Sequence, residues 1–286
     1  MNKVGFIGVG IMGKSMVRNL MKAGFELHIY ARTKSKVEDV ISEGAQFHES
    51  IKDCVQDCDA VITIVGFPQD VEEVYFDEGN ILDSAKEGAY LIDMTTTSPQ
   101  IAEKIYAEGT KRGFHVRDAP VTGGDTGAKA GTLSILVGGE KEDYEACMPL
   151  FEAMGTNINY QGKAGCGQHC KLANQIMIAG TLSGVCEALT YAKEQGLDPE
   201  VFMKSVATGA AGSKQLDTFG PKILKDDYAP GFFMKHFIKD MKLALIEANR
   251  KGLSLDVLSM VLANYEELEQ EGYGDLGTQA LIKYYE

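Results

Sequence analysis

Short apolar runs alternate with amphipathic segments over the first 160 residues of the chain. The runs that predict strands lie at 3–7, 26–30, 60–65, 89–93, 114–117, 132–138 and 157–160. Between them, apolar positions recur at helical spacing at 12–21 and near 35–43, 50–56, 68–76, 98–112 and 140–154. Strands that alternate with helices form a parallel sheet with helices on both faces. The pattern therefore predicts an α/β domain with a doubly wound sheet.

The pattern changes after residue 162, where helical spacing continues but strands no longer alternate with it. Helices are predicted at about 167–195, 199–208, 212–225, 235–251 and 256–271. The segment 167–195 is long enough to join two domains. We therefore predict a first domain over 1–162 and an all-helical domain over 163–286.

A glycine loop follows the first strand and precedes the first helix. It reads Gly8-Val9-Gly10-Ile11-Met12-Gly13, the GxGxxG spacing of dinucleotide-binding domains. The first glycine permits a tight turn, the second lets the backbone approach a pyrophosphate, and the third lets the helix pack close to the strand. In this strand–loop–helix context the motif predicts a Rossmann domain whose cofactor contacts the loop, Ile11 and Met12 included.

The end of the second strand distinguishes between the two nicotinamide cofactors. NAD-binding domains have a carboxylate there for the ribose 2′-hydroxyl, whereas an arginine accommodates the 2′-phosphate of NADP. Arg32 occupies this place, followed by Thr33, Lys34 and Lys36. A guanidinium can donate two hydrogen bonds to one phosphate. The sequence predicts NADP(H) as the preferred cofactor, with NAD(H) as the alternative. If these residues have no function in binding, they form a basic turn exposed to solvent.

Charge and composition exclude several classes of partner. The chain has 28 Lys and Arg against 41 Asp and Glu, a formal net charge of −13, which argues against a nucleic-acid or anionic-membrane surface. We expect no cleavable leader and no apolar run of the ~18 residues needed to span a membrane, which indicates a cytoplasmic protein. The six cysteines are expected to be free thiols, without a metal site.

One lysine stands alone in an uncharged stretch. Residues 164–186, AGCGQHCKLANQIMIAGTLSGVC, contain a single formal charge, Lys171, if His169 is neutral. The residue is either a catalytic group or a lysine that extends from a packed helix to solvent. Upstream, the loop 118–131 contains Thr122, Gly123 and Gly124, a flexible turn whose N–H groups suit a carboxylate or phosphate.

Five segments with these features occur together along the chain. They are GFIGVGIMGKSMVRNLMKAG, DMTTTSP, DAPVTGGDTGAKAGTLSILVGG, GCGQHCKLANQ and HFIKDMKLAL. In this order and spacing they resemble the β-hydroxyacid dehydrogenase family over essentially the whole chain. The resemblance implies NAD(P)-dependent interconversion of a short semialdehyde acid and its hydroxy acid. Its candidate substrates are tartronate semialdehyde, methylmalonate semialdehyde, succinic semialdehyde and glyoxylate, and a homodimer or homotetramer is expected.

The resemblance also implies roles for particular residues. Lys171 is the catalytic acid–base group, and burial is expected to lower the pKa of its ammonium toward roughly 7–8. Thr122, Gly123 and Gly124 hold the substrate carboxylate, and Asn174 orients the substrate oxygen. Family members differ in the position of this asparagine, so Gln175 stays open as an alternative. Further cofactor contacts are implied at Val65, Pro68, Thr96 and Lys239.

Two other functions remain open from the sequence. One is an imine reductase on the same scaffold, against which the retained Lys171 counts because similar imine reductases usually replace that lysine. The other is a non-catalytic NADP-binding module, against which the intact glycine loop counts.

Overall fold

The chain forms two compact units, and the computed structural model describes all residues from 1 to 286. The first unit is Met1–Lys171 and the second is Leu172–Glu286. All strands belong to the first unit, and the second is helical. The domains predicted from sequence meet at residue 162, just before the long helix that begins at Cys166, whereas the division by contacts falls inside that helix.

A nine-stranded sheet forms the centre of the first unit. Its strands are β1 (Lys3–Ile7), β2 (Glu26–Tyr30), β3 (Gln46–Phe47), β4 (Ala60–Thr63), β5 (Tyr90–Asp93), β6 (His115–Asp118), β7 (Val121–Thr122), β8 (Leu133–Gly139) and β9 (Gly155–Gly162). The strand order is β3-β2-β1-β4-β5-β6-β8-β7, with β9 also paired to β8. The six strands from β3 to β6 are parallel, as predicted for a doubly wound sheet. Strand β8 runs antiparallel to β6, so the complete sheet is mixed.

Helices cover both faces of this sheet. They are α1 (Ile11–Lys22), α2 (Glu38–Ser42), α3 (Ile51–Val55), α4 (Pro68–Phe76), α5 (Ile81–Ser84), α6 (Pro99–Lys111), α7 (Gly124–Ala130), α8 (Lys141–Ala146) and α9 (Met148–Met154). Consecutive residues of a strand point to opposite faces. Phe6 accordingly belongs to the core under α1 and α9, whereas Ile7 belongs to the core under α3, α4 and α6. The carboxyl ends of the parallel strands therefore share one edge, where α/β sheets bind ligands.

The second unit packs its helices around a core of its own. They are α10 (Cys166–Glu194), α11 (Pro199–Ala207), α12 (Lys214–Ile223), α13 (Met234–Arg250), α14 (Asp256–Gln270) and the 3-10 helices Tyr273–Asp275 and Thr278–Tyr285. The Phe237 ring packs edge-on against Tyr265, with ring centroids 5.4 Å apart. The Tyr265 hydroxyl donates to the carbonyl of Thr278 at 2.7 Å, which satisfies its buried polar end.

Helix α10 has the length and apolar composition of a membrane span, a property that was expected of no segment from the sequence. A core helix of a globular unit has the same two properties, so they are weak evidence for a membrane. Leu182 and Cys186 of this helix are fully buried in the core of the second unit. We therefore interpret α10 as the core helix of that unit.

The structure differs from the predicted elements where short segments fold against the sheet. The predicted helix 140–154 is two helices, α8 and α9, which meet at Cys147; Pro149 lies in the first turn of α9, where a proline is tolerated. The predicted helix 35–43 is a 3-10 turn followed by α2. Strands β3 and β7, helices α5 and α7 and the C-terminal 3-10 helices were not predicted from the sequence.

Shortening a buried leucine of α10 tests the assignment of this helix to a core. Leu182→Ala should lower the free energy of unfolding by about 2–5 kcal/mol, because it removes buried methyl groups and leaves a cavity. The matched control is Leu253→Ala, whose side chain is 57% exposed and whose loss should cost less than ~0.5 kcal/mol. Urea unfolding measures both. Equal effects in the two variants would contradict the assignment.

Candidate active site

The glycine loop has the shape that a bound pyrophosphate requires. Gly8 adopts a φ of +99°, and a Cβ there would lie 2.1 Å from the carbonyl oxygen of Ile64. A Cβ on Gly13 would lie 2.2 Å from the carbonyl oxygen of Gly8, so neither position accepts a side chain. Gly10 faces open space, since a Cβ there would meet no atom within 4 Å, and no side chain caps α1. Ile11 and Met12 begin α1, so its N-terminal N–H groups point to the space in front of Gly10.

Arg32 lies directly beyond β2, with Thr33 and Lys36 on the exposed turn that follows. Its Nη2 donates to Asp70 Oδ1 at 2.7 Å and to Glu73 Oε2 at 2.9 Å, both on α4. Neither carboxylate was predicted from the sequence to contact this arginine. The two acids raise the pKa of the guanidinium, and the hydrogen bond to Asp70 contributes most.

The turns after β4 and β5 are connected by hydrogen bonds among buried groups. The backbone N–H of Val65 donates to Thr95 Oγ1 at 2.9 Å. The Asp93 carboxylate accepts from the hydroxyl of Thr63 at 2.8 Å and from the N–H of Thr95 at 3.1 Å. Thr96 follows Thr95 in the second turn, and Pro68 begins α4 just after the first. The three cofactor contacts implied by the resemblance, at 65, 68 and 96, therefore lie on two neighbouring turns at the ligand edge of the sheet.

Helix α10 begins at the ends of two sheet strands. Asp118, the last residue of β6, accepts the N–H of Gly165 at 2.9 Å and that of Gln168 at 2.8 Å. The Gln168 side chain, itself fully buried, donates to the carbonyl of Thr95 at 2.7 Å and accepts the N–H of Thr97 at 3.0 Å. A carboxylate that accepts the first N–H groups of a helix stabilises its N-terminus.

These contacts determine where Lys171 stands. Lys171 is in the second turn of α10 and its side chain is buried, with 7% of the residue exposed. Gln168 precedes it by three residues and Asn174 follows it by three, so the three lie on one side of the helix. The alternative of a lysine extending to solvent does not fit this burial. Asp118 and Gln168 belong to two of the segments quoted from the sequence, but only the fold shows that both residues hold the first turn of α10.

Thr122 ends the short strand β7, Gly123 is the N-cap residue of helix α7, and Gly124 is the first residue of that helix. Both glycines have positive φ, +130° and +63°, conformations that a side chain would strain. The segment 118–131, predicted as a loop, thus contains the end of β6, the short strand β7 and the seven-residue helix α7. Packing holds α7 in place, since Ala128 near its C-terminal end and Leu133 at the start of β8 are buried in the core of the first unit.

Four polar residues of the second unit form one network. Asn174 Nδ2 donates to Gln175 Oε1 at 2.8 Å, and Gln175 Nε2 donates to Asp240 Oδ2 at 2.7 Å. Lys239 Nζ lies 3.0 Å from the other carboxylate oxygen of Asp240. Gln175 and Asp240 are buried, whereas Asn174 is partly exposed. Both ends of the Gln175 amide are engaged within the network, which leaves Asn174 as the better candidate to contact a substrate.

The cysteines are the remaining candidates for chemistry. All six cysteines are free, and burial raises the pKa of Cys58, Cys147 and Cys186 to about 12, so these three are protonated at neutral pH. No group of three or more His, Cys, Asp or Glu side chains is placed to hold a metal ion.

The fold and the glycine loop together define a dinucleotide-binding domain followed by a helical unit. Family models agree with this class: residues 3–162 match the NAD binding domain of 6-phosphogluconate dehydrogenase, and residues 165–285 match the NAD-binding domain of NADP-dependent 3-hydroxyisobutyrate dehydrogenase. The two models together cover nearly the whole chain, so the chain belongs to the β-hydroxyacid dehydrogenase family.

Three proteins illustrate the relationship. The uncharacterized oxidoreductase YkwC of Bacillus subtilis is 50% identical over 98% of this chain and 97% of its own length. The 2-hydroxy-3-oxopropionate reductase of Escherichia coli is 35% identical over 98% of this chain and 96% of its own. The structure of Mycobacterium tuberculosis 3-hydroxyisobutyrate dehydrogenase with L-serine superposes with a TM-score of 0.90 at 27% identity, covering 99% of this chain and 98% of that one.

The buried carboxyl of Asp93 provides a test by pH. Burial raises its pKa to about 6, and the neighbouring Asp118 adds to the shift. A carboxyl whose pKa rises on folding stabilises the fold fully below its unfolded value, near 4, and this contribution is lost as the pH rises through about 6. Asp93→Asn stays neutral, so relative to wild type it should gain about 2.5 kcal/mol in unfolding free energy between pH 4 and pH 7.5.

Urea unfolding at a series of pH values measures this gain. The control is Asp77→Asn, whose exposed side chain should leave the difference from wild type independent of pH. A pH-independent difference for Asp93→Asn as well would show that folding leaves the pKa of the Asp93 carboxyl unchanged.

Asp118→Asn should loosen the start of α10. The amide keeps one acceptor but turns an N–H₂ group toward a backbone N–H, so one hydrogen bond is lost at a cost of about 1–3 kcal/mol. Amide hydrogen exchange should accelerate at Gly165 and Gln168, while the amides of β1 and β4 keep their protection. Unchanged exchange at both positions would contradict the role given to Asp118.

Proposed function

We propose that the protein is an NADP-preferring oxidoreductase that interconverts a short semialdehyde acid and its hydroxy acid, with Lys171 as the acid–base group. The observation that carries the proposal is the burial of Lys171 on a helix whose first turn Asp118 and Gln168 hold rigidly. Catalytic groups need such fixed positions, because small displacements cost large factors in rate. Membership in the β-hydroxyacid dehydrogenase family supports the reaction class.

The residues present fit a nicotinamide dinucleotide. Gly8 and Gly13 permit the tight turn and the close approach of α1, Gly10 faces open space where a pyrophosphate would lie, and the uncapped N-terminus of α1 supplies N–H donors. Arg32, with Thr33 and Lys36 beside it, would hold the 2′-phosphate. When bound, the nicotinamide supplies or accepts the hydride of the reaction.

The chain's own residues would position the substrate and move its proton. In reduction, Lys171 Nζ donates a proton to the substrate carbonyl oxygen and stabilises the negative charge that develops there; in oxidation it takes the proton back. Asn174 donates a hydrogen bond to the same oxygen, with Gln175 and Asp240 orienting its amide. The N–H groups of Thr122, Gly123 and Gly124 receive the substrate carboxylate, and Lys239 contacts the cofactor.

Relatives named for different substrates match this chain over nearly its whole length, so we propose the substrate as a class. The Escherichia coli relative reduces 2-hydroxy-3-oxopropionate by its name, and the Mycobacterium tuberculosis relative is a 3-hydroxyisobutyrate dehydrogenase. Such substrates differ by a methyl, a hydroxyl or chain length, differences that a pocket separates by only ~1–3 kcal/mol. A carboxylate-bearing aldehyde of two to four carbons is therefore the proposed substrate.

We also propose that the protein is a cytoplasmic homo-oligomer, a dimer or tetramer. Met177 is 73% exposed and Tyr191 67% exposed on α10, and Val257 and Met260 are exposed on α14. Large apolar side chains exposed in one unit favour association between copies. Size-exclusion chromatography with light scattering would measure the assembly directly.

Replacing the lysine tests the mechanism. Lys171→Ala should lower kcat by at least ~100-fold, the low end of acid–base contributions, while the dissociation constant for NADPH changes only a few-fold. The assay follows oxidation of NADPH and NADH at 340 nm with tartronate semialdehyde, methylmalonate semialdehyde, succinic semialdehyde and glyoxylate. Lys163→Ala, which removes the same charge from a position just before α10, is the control.

The outcomes of this panel separate the competing functions. Turnover of one or two aldehydes by wild type, lost in Lys171→Ala only, supports the proposal. Turnover of cyclic imines instead would favour an imine reductase. Tight NADPH binding without turnover of either class would favour a non-catalytic module, and a Lys171→Ala variant within a few-fold of wild type would refute the catalytic role.

A further inference from the structure

Arg32 donates from a single terminal nitrogen to two carboxylates, and this bears on how the enzyme selects its cofactor. The guanidinium side chain is 60% exposed, yet Asp70 and Glu73 of α4 both accept hydrogen bonds from Nη2. An anionic group arriving at Arg32 therefore meets a cation that two acidic side chains already partly neutralise.

The two carboxylates differ in what else they do. The second oxygen of Asp70 accepts the N–H of Phe67 at 2.9 Å and thereby caps the N-terminus of α4. The Glu73 side chain, half exposed in the second turn of the same helix, contacts Arg32 without this structural duty. Asp70 has a role in folding α4, whereas the fold does not require the charge of Glu73.

We propose that Glu73 sets the strength of the preference for NADP over NAD by competing with the 2′-phosphate for Arg32. The inference rests on the assignment of Arg32 to the 2′-phosphate in the proposed function. A phosphate dianion must displace the Glu73 carboxylate or share Arg32 with it, and the two negative charges repel each other. A ribose with a free 2′-hydroxyl does not meet this competition, so Glu73 weakens NADP binding and leaves NAD binding unchanged.

The size of the effect follows from the exposure of the pair. Exposed ion pairs contribute up to about 1 kcal/mol, which corresponds to a factor of about 5 in a dissociation constant. The effect should decline with ionic strength, because salt screens exposed charges.

The experiment measures binding without catalysis. Isothermal titration calorimetry compares adenosine 2′,5′-bisphosphate with adenosine 5′-monophosphate, which differ only in the 2′-phosphate. Glu73→Gln should bind the bisphosphate about 3–5-fold more tightly at low salt, less so at about 0.5 M salt, and bind the monophosphate within about 2-fold of wild type. The matched control is Glu72→Gln, the neighbouring residue, whose carboxylate pairs with Lys104 at 2.9 Å; it should leave both affinities unchanged.

Arg32→Ala and the double variant Arg32→Ala/Glu73→Gln separate the possible failures. If Arg32→Ala leaves the affinity for the bisphosphate unchanged, the assignment of Arg32 fails, and the proposed NADP preference fails with it. If Arg32→Ala weakens that affinity but Glu73→Gln does not strengthen it, only the role of Glu73 fails. A gain from Glu73→Gln that persists without Arg32 would overturn competition for the arginine in favour of direct repulsion. Loss of the gain in the double variant supports the proposal.

Discussion

Two buried side chains, Asp118 and Gln168, hold the first turn of helix α10 against the ends of β5 and β6. Asp118 accepts two N–H groups of that turn, and Gln168 bonds the backbone on both sides of Thr96. Lys171 stands one turn further along the same helix. Without these contacts neither the direction of the lysine side chain nor the shape of the turn after β5 would be defined.

The same carboxylate contributes to the electrostatics of the sheet edge. Asp118 pairs in register with Asp93 on the adjacent strand, and burial raises the pKa of both groups. Asp118 is satisfied by backbone N–H groups, whereas Asp93 accepts from Thr63 and Thr95 through one oxygen. Buried hydrogen bonds fix the positions of these polar groups. Burying the two carboxylates costs free energy.

At the turn after β2, one positive charge is paired with two negative charges. The chain is strongly acidic, and its candidate phosphate site uses one arginine that two acids of α4 already contact. Selectivity for a phosphate depends on the charge of the arginine and also on the groups that pair with this arginine when no phosphate is bound. If Arg32 binds the 2′-phosphate as proposed, the carboxylates of Asp70 and Glu73 on α4 are the other part of the determinant.

The sequence by itself determined the alternation of strands and helices, the glycine loop, Arg32 at the end of β2 and Lys171 as an isolated charge, since each depends on local spacing. Only the tertiary structure decided which distant residues hold them: Gln168 against Thr95, Asp118 against Gly165, and Asp70 and Glu73 against Arg32. Those contacts join segments that are far apart along the chain, and local periodicity carries no information about such pairs. The short elements β7 and α7 were likewise decided by packing, since Val121 of β7 and Ala128 of α7 are buried in the core of the first unit.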